Sequence, residues 1–287
     1  MKLAALLVSS LAVVSALPAS NALADSRLTK RVFGGSLVDA ADMTFIVQLR
    51  LFLSSKYSSA CTGSIVAPDT VITAAHCMYD PTTGKKIEPR NMLVYTGSHV
   101  RSEMDGVFAT EIIPNPGWNP STYNGDIGIV KIPAMALGGN TSRVAISTGE
   151  VNIGDTLQVA GWGRNGNGVD DLPKTLLTTT LKVGSTDYCS LLYPGYTGPH
   201  GDGFCTQNSL TPGNSICSGD SGSPIMTKGT DGRYYLAGIS SSGGNVVNDN
   251  DHSCNSSDGV AYFGSAGKFL KFLTEASGLS SDSLTKY

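Results

Sequence analysis

Hydrophobic positions along this chain come in short bursts separated by turn-forming residues. In the first half they occupy residues 44–51, 63–67, 70–74, 92–96, 107–113 and 127–132. These stretches are rich in β-branched and large apolar side chains, the composition of strands. Between them stand Asp80-Pro81, Asp105-Gly106 and Pro114-Asn115-Pro116-Gly117, whose residue types set turn geometry. Residues 135–147, with Gly138-Gly139-Asn140, read as a crossover between two halves. The second half repeats the style at residues 156–161, 175–183, 203–206, 223–227, 234–240 and 259–263. Near the end, Lys268-Phe269-Leu270-Lys271-Phe272-Leu273 carries one apolar stripe at helical spacing, predicting a short helix over about 266–276. The pattern predicts an all-β protein with one C-terminal helix, and no internal repeat is detectable.

The first hydrophobic run is of another kind. Lys2 precedes an apolar segment, residues 3–17, too short to anchor a mature chain, and Ala22-Leu23-Ala24 fits a signal-peptidase site. Val14-Ser15-Ala16 is a competing site. A signal peptide over 1–24 predicts a secreted, extracellular protein, and no later apolar span reaches membrane length.

Composition narrows the picture further. There are 34 glycines among 287 residues, an excess that fits many tight turns and short strands. The net charge of −3 comes without any Lys/Arg run, which argues against nucleic-acid or anionic-membrane partners. In an exported chain, the six cysteines predict disulfides, in a pairing the spacings alone do not choose. Metal binding is the rival use of cysteine, but no C-x2-C or clustered Cys/His spacing is present.

Three motifs carry chemistry. Cys217-Ser218-Gly219-Asp220-Ser221-Gly222-Ser223-Pro224 sets a serine between small residues, so that backbone N–H groups can approach a substrate carbonyl. A serine hydroxyl is a weak nucleophile and needs a base, which in turn needs an orienting acid. His76, in Thr73-Ala74-Ala75-His76-Cys77, and Asp126, in Asn124-Gly125-Asp126-Ile127-Gly128-Ile129-Val130, are the candidates. Singly, each has a plain structural explanation as a turn or capping residue. Together, and in the order His, Asp, Ser, they resemble the chymotrypsin/trypsin family of secreted serine endopeptidases, over nearly the whole chain from Val32 onward.

That resemblance implies two packed six-stranded Greek-key barrels, about 32–140 and 145–265, within a peptidase domain spanning 32–287. It implies Ser221 as nucleophile, His76 as general base, Asp126 as its orienting acid, and the N–H groups of Gly219 and Ser221 as the oxyanion hole. It selects the disulfides Cys61–Cys77, Cys189–Cys205 and Cys217–Cys254. Residues 25–31 become an activation propeptide. A basic-specific protease cutting after Arg31 would free the α-ammonium of Val32, in Val32-Phe33-Gly34-Gly35, to pair with Asp220. The substrates implied are proteins or peptides, the default state is monomeric, and no cofactor is expected.

The pocket is read from the same resemblance. Ser215 stands where an aspartate would select Lys or Arg; with Ile216, Ser241, Gly243 and Gly259 it suggests room for Phe, Tyr, Leu or Met. Three departures from the family pattern stand out. Ser242 replaces a tryptophan, Ser223 replaces a glycine, and the polar loop 244–255 is long, with carboxylates that could turn toward a cationic substrate. Glu103 and Asp105 lack the carboxylate spacing of a calcium loop, so no metal is expected. Asn140-Thr141-Ser142 and Asn255-Ser256-Ser257 fit N-glycosylation acceptors. A protease-like binding or inhibitor protein, with little catalytic activity, is the alternative; the altered Ser242 wall is its one hint.

Overall fold

The structure, a computed structural model, describes residues 34–53, 58–164, 173–248 and 250–287. The expected signal peptide, propeptide, Arg31 and Val32 lie outside the described residues. Fifteen strands provide most of the regular secondary structure among the described residues: β1 Ser36–Leu37, β2 Ile46–Phe52, β3 Ser58–Ala67, β4 Thr70–Thr73, β5 Met92–Thr96, β6 Asp105–Phe108, β7 Glu111–Pro114, β8 Gly128–Lys131, β9 Ala145–Ile146, β10 Thr156–Gly161, β11 Leu177–Lys182, β12 Gly203–Gln207, β13 Pro224–Lys228, β14 Tyr234–Asn245 and β15 Gly259–Ser265. Three short helices follow the same order: α1 Thr186–Cys189, α2 Leu270–Ser277 and α3 Ser281–Thr285.

The strands form two antiparallel sheets, apart from one short parallel pairing of β9 with β14, and each sheet curls on itself. In the first, the order is β6-β5-β2-β3-β4-β8-β7. Only Ala109 and Thr110 separate β6 from β7. The Ala109 N–H donates to Met92 O of β5, at 3.0 Å, and the Thr110 N–H to Lys131 O of β8, at 2.8 Å. The β6–β7 segment is thus one bent ribbon bridging the two ends of the sheet. In the second, the order β11-β10-β13-β14-β15-β12 closes through a bridge between Val183 and Thr206. Closure leaves few free strand edges. This is the two-barrel architecture of the chymotrypsin-like fold.

Burial explains why the halves stay together. The second barrel is filled by Leu157, Val159, Leu181, Phe204, Ile225 and Phe263, with the Phe204 and Phe263 rings stacked 5.7 Å apart. A larger apolar cluster runs from Val47, Ile65 and Ile129 of the first sheet to Met226, Leu236 and Ile239 of the second, with Trp162 fully buried among them. Trp162 Nε1 donates to His99 O at 3.1 Å, so its polar edge is satisfied. Strand β1, early in the chain, pairs with β11 of the second sheet and so straps the halves together.

Several boundaries differ from the hydrophobic pattern for physical reasons. The predicted strand 107–113 is broken at Ala109-Thr110, where pairing switches from β5 to β8. Strand β14 runs five residues past the predicted end at Ser240, through Ser241-Ser242-Gly243-Gly244-Asn245. Those residues have low strand propensity, yet Ser242 to Asn245 are held by pairing with β15. The C-terminal helix is present as α2, with Leu273 buried; Gly278, at φ 72°, ends it in a left-handed cap. The polar tail beyond forms α3, whose cap Ser280 accepts from the Ser283 N–H at 3.1 Å and whose Leu284 is buried.

Candidate active site

His76 and Asp126 come from the first barrel, at the ends of neighbouring strands. His76 lies on the 3-10 turn Ala75–Met78 that follows β4, and Asp126 precedes β8, which pairs with β4. The Asp126 carboxylate is 1% exposed and accepts three hydrogen bonds. The donors are the His76 N–H at 2.8 Å, His76 Nδ1 at 2.7 Å and Ser241 Oγ at 2.5 Å. A buried carboxylate needs such partners. With Nδ1 donating to Asp126, the imidazole tautomer leaves Nε2 as the proton acceptor. Ser241 reaches the site because the β14–β15 register shifts between Ser240 and Ser242, leaving Ser241 as the extra residue of a bulge.

Ser221 comes from the second barrel, on the turn between Cys217 and β13. The turn is docked onto the first barrel by backbone: the Thr62 N–H donates to Ser221 O at 2.8 Å. Thr62 adjoins Cys61, and the Cys61–Cys77 disulfide returns the connection to the residue beside His76. Gly222, at φ 80°, is required here, since a Cβ would strike Thr62 O and Thr73 Oγ1. The Ser221 Oγ–His76 Nε2 hydrogen bond is not made; such bonds are commonly long without substrate. Within the turn, the N–H groups of Asp220, Gly222 and Ser223 donate to Cys217 O, Ser240 O and Asp220 O. Those of Gly219 and Ser221 have no acceptor among the described residues.

Asp220 sits behind this turn, 1% exposed, accepting from the Gly163 N–H at 2.8 Å and the Cys217 N–H at 2.9 Å. Burial dominates, pushing its carboxyl up to about 6 despite the two backbone donors. The other cysteines pair as Cys189–Cys205 and Cys217–Cys254. Cys61, His76 and Cys77 lie close together, but the two sulfurs are bonded to each other and offer no thiolate for a metal. Glu103 Oε2 accepts from Ser98 Oγ at 3.2 Å, and Asp105 is exposed. Asn140 and Asn255 are exposed.

Beside Ser221 opens a cavity of about 520 Å³. All five pocket residues read from the sequence, Ser215, Ile216, Ser241, Gly243 and Gly259, line it. The structure adds Asn208 and Leu192, which sequence reading missed, and Asp251 from the long loop. Asn208 is buried and its Nδ2 donates to Cys254 O at 3.2 Å and Ser256 O at 3.0 Å. It carries no motif; the signal that it mattered was only an asparagine closing a strand. Leu192 is just past Cys189, in a segment with no strand pattern. Tyr193 OH lies 3.0 Å from Ser242 Oγ and stands over the short serine where the family has tryptophan. Burial raises the Tyr193 phenol to about 12, so it stays neutral. On the other side, the rings of His76 and Trp118 are 6.4 Å apart and Trp118 meets Tyr123 edge-on at 5.8 Å.

A histidine–carboxylate pair on one β-barrel, facing a serine turn and side-chain cavity on another, defines the class of chymotrypsin-like serine endopeptidases. The Trypsin family model matches residues 32–256, and the chain belongs to that family. It is 30% identical to trypsin eta of Drosophila melanogaster over 223 residues, covering 74% of this chain and 79% of that protein. It is 29% identical to trypsin I-P1 of Gallus gallus over 170 residues, 59% of this chain and 65% of that protein. A match to mannan-binding lectin serine protease 1 of Mus musculus, 25% identical, covers 74% of this chain but 32% of that longer protein.

Proposed function

We propose that this serine endopeptidase is secreted as a zymogen and cleaves peptide bonds through an acyl-enzyme formed on Ser221. His76 Nε2 takes the Ser221 proton as Oγ bonds to the peptide carbonyl carbon, and returns it to the amine as the C–N bond breaks. Water then repeats the sequence, releasing the acid and restoring Ser221. Asp126 holds the imidazole and stabilises its cation. The N–H groups of Gly219 and Ser221, which have no acceptor among the described residues, receive the oxyanion, and loss of one such donor typically costs about 10²–10³ in rate. The observation that carries this reading is the Asp126 carboxylate bound at once to His76 N, His76 Nδ1 and Ser241 Oγ, beside the turn docked through Ser221 O.

Ser215 at the pocket base and the glycines Gly243 and Gly259 favour large apolar residues before the cut. A pocket with no carboxylate at its base should process Arg31 slowly, so activation falls to a separate basic-specific protease. Export through the signal peptide, action as a monomer on protein substrates without nucleic-acid or membrane partners, and glycosylation of the exposed Asn140 and Asn255 complete the reading. Among the described residues no helix is long and apolar enough to cross a membrane.

The test is to cut the purified precursor after Arg31 with a basic-specific protease and assay peptides differing only at the residue before the scissile bond. Cleavage after Phe, Tyr or Leu, lost in Ser221→Ala, is the expected result. No turnover with Val32 exposed would turn the reading to a protease-like binding protein.

A further inference from the structure

The long loop between β14 and Cys254 is folded onto the cavity by one side chain. Asn245, buried at the end of β14, uses Oδ1 to accept from the N–H groups of Val247 at 2.8 Å and Asn248 at 3.0 Å. Its Nδ2 donates to Asp251 Oδ2 at 2.9 Å and Ser256 Oγ at 2.8 Å. Asp251 Oδ1 accepts from the Ser253 N–H at 2.9 Å. The side chains of Ser253 and Ser256 also hydrogen-bond this carboxylate, so the loop's own donors hold the anion in place. The Cys217–Cys254 disulfide holds the far end of the loop to the serine turn.

Asp251 lines the same cavity as Ser215, Ile216 and Ser221. Among the described residues lining it, Asp251 is the sole carboxylate, and neither lysine nor arginine is present to neutralise it; His252 is the other titratable group. Hydrogen bonding, chiefly from Ser253, holds the carboxyl below its ordinary value, so it is ionised at neutral pH. A fixed anion in a side-chain cavity of otherwise neutral polar and apolar groups attracts a cation and, since removing its water is costly, offers nothing to a hydrocarbon.

We infer that Asp251 is a specificity-determining residue that admits lysine and arginine side chains to the primary pocket as a second substrate class beside the large apolar ones. The inference rests on the endopeptidase reading above. The carboxylate arrives from the loop before Cys254 and leaves the base of the pocket uncharged, so cationic side chains are cleaved more slowly than Phe. A guanidinium or ammonium in the cavity is drawn by the charge of this fixed carboxylate. The competing role, a pin that merely folds the loop through Asn245, needs the hydrogen bonds but not the charge.

Charge and shape are separated by peptide substrates bearing arginine or citrulline, its uncharged near-isostere, before the cut. In the processed enzyme kcat/KM for arginine should exceed that for citrulline roughly tenfold, the scale of one charged hydrogen-bonded contact. In Asp251→Asn, which removes the charge along with a hydrogen bond accepted on the second oxygen, the ratio should fall to about one, whereas loss of a folding pin alone would slow the arginine and citrulline peptides equally. An arginine-to-citrulline ratio that survives Asp251→Asn overturns the inference, as does a wild-type ratio of one. Binding of benzamidinium against neutral benzamide to processed Ser221→Ala reads the same charge without turnover. Cation preference lost in Asp251→Asn there upholds the inference even if hydrolysis fails, and equal binding overturns it.

Discussion

At the scale of single residues, the departures from the family pattern are where physical reasoning has most to add. Ser223 is fully buried, and its Oγ has no hydrogen-bond partner among the described residues. It lies against Gly161, where a Cβ would meet both Ser223 Oγ and Asp220 Oδ1. An unsatisfied buried hydroxyl costs about 1–3 kcal/mol. Ser223→Ala removes the orphan and keeps the Cβ, so it should stabilise the protein by about 1 kcal/mol, a Tm rise of about 2–4 °C by calorimetry. Asp126→Asn works the other way. An amide opposite His76 Nδ1 favours the wrong tautomer, and kcat should drop by about 10⁴ with KM nearly unchanged. His76, Asp126 and Ser221 could be proposed from the sequence because a nucleophile, base and acid leave short local signatures. Asn208 and Tyr193 were not, because each acts through a partner far along the chain, Cys254 O for one and Ser242 Oγ for the other.

At the scale of elements, β14 does the most for the site. Its hydrophobic half, from Tyr234 to Ser240, announces a strand by pattern; its serine and glycine half does not. That second half is held by β15 on one side and braced by the disulfide beyond it, forces that no local window contains. The bulge at Ser241 turns one serine toward Asp126, while Gly243 and Gly244 keep the cavity wall thin. The strand therefore serves the acid of the first barrel and the pocket of the second at once. Cys217 and Cys254 are 37 residues apart, a loop whose cross-link contributes about 3–4 kcal/mol in the chain-entropy picture. Replacing both by alanine should lower stability by an amount of that order in denaturant titrations. Because the cross-link joins the serine turn to the specificity loop, KM should rise more than kcat falls. Equal losses in both would mean that the disulfide supports the serine turn alone.

At the scale of the whole molecule, the chemistry depends on two barrels meeting, and the burial of Asp220 ties that meeting to pH. The first barrel brings His76 and Asp126, the second Ser221 and the cavity, and one apolar cluster crosses between them. Asp220 lies behind the Ser221 turn with its carboxyl at about 6 in the folded chain against 3.8 as the ordinary value, so its charged form is the costly one. Below about pH 4 the group is protonated folded and unfolded, and the cost is absent. Above about pH 6 it is ionised in both, and the folded state bears a penalty on the order of 3 kcal/mol. A cation placed against Asp220 cancels that penalty, and the α-ammonium of Val32, released by cutting after Arg31, is the one the family resemblance supplies. Unprocessed protein should therefore lose stability from this group as pH rises from 4 to 7, whereas processed protein should not. The comparison is best made with Ser221→Ala, which cannot digest itself, by denaturant unfolding at pH 4.5 and 7.5 before and after the cut. The gap between the two forms should be small at the lower pH and wide at the higher. Asp220→Asn removes the ionisable group, so it should stabilise the precursor at pH 7.5 and abolish the gain on processing. A gap of equal size at both pH values would mean that processing stabilises the fold by packing of the new terminus and not by its charge.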